Sequence, residues 1–177
     1  MTGRLFLVVG PSGVGKDTLL AGAKAADPAL CRARRVITRP ATEGGEPFEG
    51  VTVDAFQQRL EAGEFALHWQ AHGLCYGVPV QELASLAQGS TVLVNGSRGA
   101  LAAALAAYPA LTVVRISAPS NVLADRLVAR GRESRDEIIA RLDRASYALP
   151  EGTRVVDIHN NGTPAQGIAQ LLHALRA

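Results

Sequence analysis

One segment near the start of the chain has the residue types and the spacing of a phosphate-binding loop. Gly10, Gly15 and Lys16 match the pattern G-x-x-x-x-G-K. Glycines let successive backbone N–H groups curl around an anion, the following helix adds the positive end of its dipole, and the lysine reaches the β- and γ-phosphates of a nucleotide. An apolar run over residues 5–9 precedes the segment and a helical pattern follows it. The sequence therefore predicts an ATP site and the transfer of a phosphoryl group.

The predicted ATP site takes in the whole loop and the first helical turn after it. Its residues are Gly10, Pro11, Ser12, Gly13, Val14, Gly15, Lys16, Asp17 and Thr18. Lys16 is predicted to be catalytic, because its charge would stabilise the transferring phosphoryl group in the transition state. The alternative is a glycine-rich turn with a chance lysine, and a chain with only two lysines makes that coincidence a poor explanation.

The eighth position of the motif departs from the usual pattern. Asp17 stands where a serine or threonine hydroxyl normally contacts Mg²⁺. A carboxylate is a suitable hard ligand for Mg²⁺, although without the metal it would repel neighbouring phosphates. Thr18 is turned by roughly 100° on the helix and cannot simply replace it. We therefore expect Mg²⁺ as the cofactor and Asp17 as its ligand, directly or through water. The alternative is an acidic residue that only favours the helix dipole.

The remaining residue types do not point to a different chemistry. The four histidines and the two cysteines lack metal-site spacing, and no Ser-His-Asp set is evident. A phosphate oxygen is already ionised near pH 7, so its phosphorylation needs positioning and charge neutralisation rather than a general base. A kinase of alcohols would need a carboxylate base, and Glu46 is the one candidate. This pattern favours a phosphate acceptor.

Short apolar runs alternate with longer segments of helical periodicity along most of the chain. The runs cover residues 5–9, 91–94, 111–116 and 155–158, and helices are predicted at about 16–26, 97–107, 120–130, 135–147 and 164–176. Ser134 lies three residues before Glu137, as in a capping box, and Thr163 precedes a proline suited to a first helical position. The alternation predicts an α/β fold, with the three layers and parallel central sheet of a P-loop NTPase.

The segment 38–88 breaks this alternation. It contains a glycine-rich turn, a short helix near 54–62 and aromatic short strands around 65–69. We predict a single domain of nucleoside-monophosphate-kinase type, with its core at 1–37, 89–125 and 148–177, an acceptor-binding insertion at 38–88 and a lid at 126–147. Arginines cluster at 32–39 and at 126–144, beside the proposed insertion and within the proposed lid.

The composition suits one compact domain that binds small anions. The chain has 177 residues, of which 47% are apolar, and a formal net charge of +2. So small a charge argues against a large nucleic-acid footprint, but 16 arginines supply planar forks matched to phosphate oxygens. No apolar run is long enough to cross a bilayer, and we expect no signal peptide, because only four residues precede the first apolar run. We expect a cytoplasmic enzyme with small-molecule substrates, of open oligomeric state.

The order of several motifs resembles the guanylate kinase family across nearly the whole chain. These motifs are the loop at 10–16, Thr38-Arg39-Pro40, the segment 64–67, Tyr76-Gly77, and Arg130 with Arg141. The resemblance implies a core with a P-loop, an inserted acceptor-binding domain and an arginine-bearing lid. It also implies that Arg39 and Tyr76 grip the acceptor phosphate, and that Arg130 and Arg141 clamp the ATP phosphates as catalytic residues.

The positions that read guanine in that family are not kept. Leu67 replaces a glutamate that accepts from the base, Arg35 and Val78 replace small hydroxyl residues, and Asn95 lies where an acidic pair is expected. A site that has lost these hydrogen-bond partners should discriminate against GMP. The added arginine suits a further anion instead.

The same departures resemble the ribose 1,5-bisphosphate phosphokinases of phosphonate degradation. The shared motifs are the Gly-Lys-Asp of the loop and the segments 44–46, 69–74, 76–79 and 94–98. The resemblance implies that ATP and ribose 1,5-bisphosphate give ADP and 5-phospho-α-D-ribose 1-diphosphate. It implies an acceptor site of Arg35, Arg39, Glu46, His72, Tyr76, Asn95 and Arg98. The alternatives are a guanylate or other nucleotide kinase, and a silent guanylate-kinase-like interaction module, against which the intact Gly15-Lys16 pair argues.

Overall fold

Two sheets and their flanking helices make up the structure, a computed structural model that describes residues 3–41, 46–129, 131, 134–143 and 148–177. The strands are β1 (Arg4–Val9), β2 (Cys31–Arg32), β3 (Arg35–Ile37), β4 (Phe48–Gly50), β5 (Phe65–Ala71), β6 (Leu74–Pro79), β7 (Thr91–Asn95), β8 (Thr112–Ser117) and β9 (Arg154–His159). The helices are α1 (Lys16–Ala26), α2 (Val53–Glu61), α3 (Leu101–Ala107), α4 (Ser120–Val128), α5 (Arg135–Asp143) and α6 (Pro164–Arg176), with 3₁₀ turns at Val80–Gln88 and Arg98–Ala100.

The core sheet is parallel, in the order β2-β7-β1-β8-β9. In its central strand, Leu7 lies beside Val94 on one side and Val113 on the other. Residues 5–9 are all buried, because both faces of the sheet are covered, and this explains their unbroken apolar run. The four predicted runs are the four long strands, so the α/β class with a parallel sheet is confirmed. The two-residue strand β2 was not predicted, since two residues carry no periodicity.

Four of the five helices predicted for the core and the lid begin at the predicted residue, and the fifth begins four residues later. α1 and α6 have the predicted bounds, and Thr163 forms a capping box with Gln166. Ser134 and Glu137 likewise exchange hydrogen bonds at the start of α5. The helix predicted from 97 starts at 101, because a 3₁₀ turn precedes it, and α4 ends at 128 rather than 130. The prediction over 144–147 lies outside the described residues.

The second sheet has the order β4-β3-β6-β5 and carries α2. The predicted short helix and aromatic strand are present as α2 and β5. A two-residue turn at His72 and Gly73, with φ of 53° and 73°, joins β5 to β6 in the left-handed geometry that suits tight hairpins. β6 was not predicted, because Gly77 and Pro79 are weak strand formers.

The carboxyl ends of β1, β7, β8 and β9 meet at one edge of the core sheet. The loop at 10–15 joins β1 to α1 at this edge, and the second sheet starts at Arg35, directly after β2. Ligands of α/β proteins bind at such edges, outside the carboxyl ends of parallel strands. Among the described helices, none has the length and apolarity needed to span a membrane.

Candidate phosphoryl-transfer site

The loop between β1 and α1 has the backbone of an anion cradle. Gly13 and Gly15 adopt left-handed conformations, with φ of 80° and 94°, that L side chains rarely tolerate. Gly15 is also the residue that precedes the first turn of α1. Lys16 folds back over the loop and donates from Nζ to Gly10 O at 2.6 Å. The positive charge of Lys16 is therefore held over the loop, where it would neutralise a bound phosphate.

Burial lowers the pKa of Lys16 from 10.5 to about 8. The nearby Asp17 carboxylate opposes this shift, and the Arg35 guanidinium adds to it. An anion bound in the loop would favour the charged lysine and raise its pKa again. Because the Arg35 guanidinium contributes to the lowered pKa of Lys16, Arg35 of the second sheet lies close enough to the loop to influence its charge.

Asp17 is held by two donors from the core sheet. Its Oδ1 accepts from Arg32 Nη2 at 2.9 Å and from Asn95 Nδ2 at 2.8 Å. Arg32 lies on the edge strand β2 and Asn95 is the last residue of β7. The Asp17 side chain remains 46% exposed. One carboxylate oxygen is thus fixed by the protein, while the side chain keeps access to the loop side.

Glu46 extends this arrangement toward the second sheet. Its Oε1 forms an ion pair with Arg35 Nη2, and its Oε2 accepts from Asn95 Nδ2 at 3.2 Å and lies 3.6 Å from Arg32 Nη2. We name the five side chains the charge network: Asp17, Arg32, Arg35, Glu46 and Asn95. The network joins α1, the core sheet and the second sheet beside the loop.

Arg35 is the most deeply buried arginine of the network. Desolvation lowers its pKa to about 10, which Asp17 and Tyr76 oppose and the neighbouring Arg39 and Arg32 reinforce. Its guanidinium stands 5.1 Å from the centre of the Tyr76 ring. Arg35 therefore stays charged near pH 7, in a place where its charge is poorly solvated.

A second arginine and two aromatic rings enclose the same region. Arg39 lies over Phe48, with its guanidinium carbon 4.5 Å from the ring centre. Trp69 stacks on Tyr76 at 5.4 Å between ring centres. These rings hold the arginines without consuming their hydrogen-bond donors.

Several buried polar atoms in this part of the protein have no hydrogen-bond partner among the described residues. They are Arg35 Nε, Arg39 Nε, Trp69 Nε1, Asn95 Oδ1 and Ser97 Oγ. Buried polar groups in folded proteins are nearly always satisfied, by protein, water or ligand. The Nε–H groups of Arg35 and Arg39 are donors of the kind that bind phosphate oxygens.

Two other predicted acceptor residues lie at the margin. His72 is exposed in the turn between β5 and β6. Arg98 begins the 3₁₀ turn Arg98–Ala100, whose Gly99 approaches the backbone of Gln70 in β5. The turn therefore packs against the second sheet near the end of β5, so both residues lie close to the turn that joins β5 to β6.

The predicted lid is only partly described. Arg130 lies outside the described residues, and so does the side chain of Arg141, whose backbone belongs to α5. The described Arg126 contacts the phosphate loop from α4 and donates to Asn160 O at 2.9 Å. An ion pair between Arg135 and Asp125 joins α5 to α4.

Two residues of the site were missed by the sequence analysis. Arg32 belongs to a recognised arginine cluster, but its pairing with Asp17 depends on the placement of a two-residue strand. Asn160 donates to the Val14 carbonyl from the far end of the chain. No local signal marks either contact.

A divalent cation fits the chemistry of this site. Among the described residues, no cluster of three or more His, Cys, Asp or Glu side chains could hold a metal by itself. Carboxylate and phosphate oxygens are the ligands that Mg²⁺ prefers in phosphoryl-transfer sites. A cation here would be shared between Asp17 and the phosphates of the nucleotide.

Comparisons with known proteins agree on one family. The chain is 46% identical to "Ribose 1,5-bisphosphate phosphokinase PhnN" of Ruegeria sp., over 99% of this chain and 93% of that protein. It is 49% identical to the "Bifunctional ribose 1,5-bisphosphokinase-thymidine phosphorylase" of Azorhizobium caulinodans, over 99% of this chain. The chain spans only 26% of the length of that bifunctional relative. No protein-family model matches.

The solved structures support the fold. Guanylate kinase from Anaplasma phagocytophilum superposes with a TM-score of 0.70 at 20% identity, covering 99% of this chain and 85% of that chain. At this identity the likeness concerns the fold alone.

Proposed function

The chain belongs to the ribose 1,5-bisphosphate phosphokinase family, and on that premise we propose that it transfers the γ-phosphoryl group of ATP to ribose 1,5-bisphosphate. The 1-phosphate oxygen forms a bond to the γ-phosphorus as the bond to the β,γ-bridging oxygen breaks. The products are 5-phospho-α-D-ribose 1-diphosphate and ADP. The attacking oxygen is already ionised, so no general base is needed.

The observation that carries the proposal is the buried Arg35 beside the phosphate loop. Arg35 lies in the second sheet, and its ion pair with Glu46 links it through Asn95 to Asp17, the residue that follows Lys16. Together with Arg39 it presents unsatisfied guanidinium nitrogens next to the ATP site. An acceptor with two phosphates matches the positive charge of these arginines. Lys16 would neutralise the transferring phosphoryl group in the transition state.

The two positions that would read a base in a guanylate kinase are poorly suited to guanine here. Leu67 and Val78 are both fully buried apolar side chains, with exposed fractions of 3% and 0%. Neither can accept or donate a hydrogen bond to a base edge. Under the proposal, Arg39 and Tyr76 hold a phosphate while Arg35 holds the further charge of the bisphosphate. His72 and Arg98 would flank the acceptor near the turn between β5 and β6.

Glu46 has a supporting role in the proposed reaction. Its carboxylate is engaged by Arg35 and Asn95, which fixes the arginine beside the loop. A carboxylate held by two donors is a poor base, and this disfavours a kinase that deprotonates a hydroxyl acceptor. Sugar hydroxyls are the donors that its remaining lone pairs suit.

Mg²⁺ is the proposed cation and Asp17 its proposed protein ligand. When bound, it neutralises charge on the β- and γ-phosphates. Arg32 and Asn95 hold one carboxylate oxygen of Asp17 and so orient the other. Arg130 and Arg141 remain the proposed lid arginines that close over the phosphates.

A side-by-side assay tests the proposal. ADP release is measured with ribose 1,5-bisphosphate, ribose 5-phosphate and GMP as acceptors, and kcat/KM is compared. The kcat/KM for the bisphosphate should exceed that for GMP by at least about a hundredfold, because GMP offers the arginines one phosphate group and the bisphosphate offers two. A preference for GMP would contradict the bisphosphate assignment and favour a nucleotide kinase. No turnover with any acceptor, alongside normal ATP binding, would favour the silent interaction module.

A further inference from the structure

Asn160 lies behind the phosphate loop and is buried although it is polar, with 6% of its surface exposed. It follows the last residue of β9, and its backbone N–H donates to Ser117 O, at the end of β8, at 2.8 Å. Its side-chain Nδ2 donates to Val14 O at 2.7 Å. The residue therefore ties the loop to the ends of two core strands.

Arg126 of α4 approaches the same carbonyl. Its Nη1 stands 3.4 Å from Val14 O, and its Nη2 donates to Asn160 O at 2.9 Å. The Val14 carbonyl is thus met by an amide and a guanidinium together. Both groups come from outside the loop.

Two glycines make room for this contact. A Cβ added to Gly15 would lie 2.8 Å from Asn160 Nδ2, and one added to Gly167 of α6 would lie 2.4 Å from Asn160 Oδ1. Distances below about 3 Å are not tolerated between a carbon and a polar atom, so a side chain at either place would expel the amide. Glycine at positions 15 and 167 therefore leaves the space that the Asn160 side chain occupies.

The peptide that Asn160 holds is intrinsically free to turn. Gly15 and Gly13, on either side of Val14, both adopt left-handed backbone conformations, and glycine visits left-handed and right-handed regions with similar ease. In a trans peptide the C=O and the next N–H point in opposite directions. Fixing the Val14 carbonyl outward therefore directs the Gly15 N–H into the concave side of the loop.

We propose that Asn160 and Arg126 are positioning residues for ATP, which hold the Val14–Gly15 peptide so that the Gly15 N–H faces a bound phosphate. Without them the peptide would turn part of the time, and a carbonyl oxygen would then face the phosphate. The proposal rests on the ATP-binding half of the proposed function. It does not depend on the identity of the acceptor.

The test compares Asn160→Asp with Asn161→Asp. The two substitutions make the same chemical change at neighbouring positions, and Asn161 is exposed. In Asn160→Asp a carboxylate oxygen replaces the donor that faces Val14 O. We expect the Kd for ATP, measured by calorimetry without acceptor, to rise about ten- to a hundredfold in Asn160→Asp and less than about threefold in the control.

The pH dependence distinguishes positioning from a structural role. A protonated Asp at 160 can again donate to the Val14 carbonyl, so the ATP affinity of Asn160→Asp, relative to that of the control at the same pH, should recover as the pH falls through the pKa of the introduced carboxyl, which burial raises and the Arg126 guanidinium lowers. If the substitution only lowered stability, the melting temperature would fall, but lowering the pH would not restore the ATP affinity.

A second pair of variants covers the case in which Asn160→Asp does not fold. Arg126→Lys keeps the charge but cannot reach both carbonyl oxygens, whereas Arg154→Lys makes the same change at the opposite end of β9. We expect the Kd for ATP to rise about three- to tenfold in Arg126→Lys alone.

Equal ATP affinities within either pair of folded variants would overturn the positioning role while leaving the proposed function intact. A wild-type protein that binds no ATP would overturn the proposed function, and this proposal with it.

Discussion

Asn95 donates its side-chain amide to Asp17 Oδ1 at 2.8 Å and, from the same nitrogen, to Glu46 Oε2 at 3.2 Å. Two carboxylates from different parts of the fold therefore share one neutral donor. Asn95 is 4% exposed, so the contact is shielded from water. The amide keeps the two negative charges apart at the carboxyl end of β7.

Asn95→Asp should disable the site by adding a third carboxylate to this contact. Like charges at such a distance cannot all remain ionised, so one carboxyl would take up a proton and the network would rearrange. We expect kcat/KM to fall at least about tenfold at pH 8 and to recover partly toward pH 6. Asn121→Asp, an exposed residue in the first turn of α4, is the control. Identical pH profiles for the two variants would argue against charge separation by Asn95.

The parts of the protein that were predictable from sequence depend on local patterns. The loop before Lys16, the bounds of α1 and the cap at Thr163 each follow from residues within a few positions of one another. The contact of Asn95 with Asp17 joins residues 78 positions apart, and that of Asn160 with Val14 joins residues 146 apart. Such contacts depend on strand order, which periodicity does not encode.

The contacts within the charge network could not be predicted from sequence for the same reason. Glu46 was predicted among the acceptor residues, but its ion pair with Arg35 depends on how the second sheet meets the core. Sequence patterns predicted which residues carry the chemistry. It could not tell which of them neutralise one another before a substrate binds.

Lys16 should make ATP binding depend on pH above about 8. Burial lowers its pKa to about 8 in the ligand-free protein, and phosphate would raise it, so ATP binds with uptake of a proton once the free lysine is neutral. The association constant should then fall up to tenfold per pH unit between about pH 8 and 10. Calorimetry in buffers of different ionisation enthalpy measures the proton uptake directly.

Lys16→Arg provides the contrast, because arginine stays charged in this range. It should bind ATP without proton uptake, whereas Lys24→Arg, which changes the other lysine of the chain, should behave as the wild type. Proton uptake that persists in Lys16→Arg would assign the titration to another group.

Asp17→Asn should weaken the response to Mg²⁺ more than the binding of metal-free ATP. The amide is a weaker ligand for a hard cation, and it also leaves Arg32 with only the more distant carboxylate of Glu46, at 3.6 Å. Arg32→Gln removes the arginine while leaving the carboxylate in place, so it separates the two effects. The apparent Mg²⁺ constant should rise about tenfold or more in Asp17→Asn and change less in Arg32→Gln. Unchanged magnesium dependence in Asp17→Asn would make Asp17 only a partner for Arg32 and Asn95.

The acceptor preference should depend on Arg35, and the structure determines how this has to be measured. Removing Arg35 alone leaves the buried Glu46 carboxylate with only the Asn95 amide at 3.2 Å and Arg32 at 3.6 Å, and breaking a buried ion pair in this way costs up to about 3–5 kcal/mol of stability. Arg35→Gln, Glu46→Gln and the double variant therefore form a cycle. The double variant contains no orphaned charge and should recover most of the melting temperature.

The activity of these variants separates the recognition of phosphate from stability. A charge-assisted arginine contact is worth about 1.5–3 kcal/mol, so both variants that lack Arg35 should lose roughly ten- to a hundredfold in kcat/KM for ribose 1,5-bisphosphate. Glu46→Gln keeps the guanidinium and should lose much less. ATP binding without acceptor should change little in all three, because Lys16 and the loop amides remain. If the double variant recovers both stability and kcat/KM, Arg35 pairs only with Glu46 and the second phosphate of the acceptor must be held elsewhere.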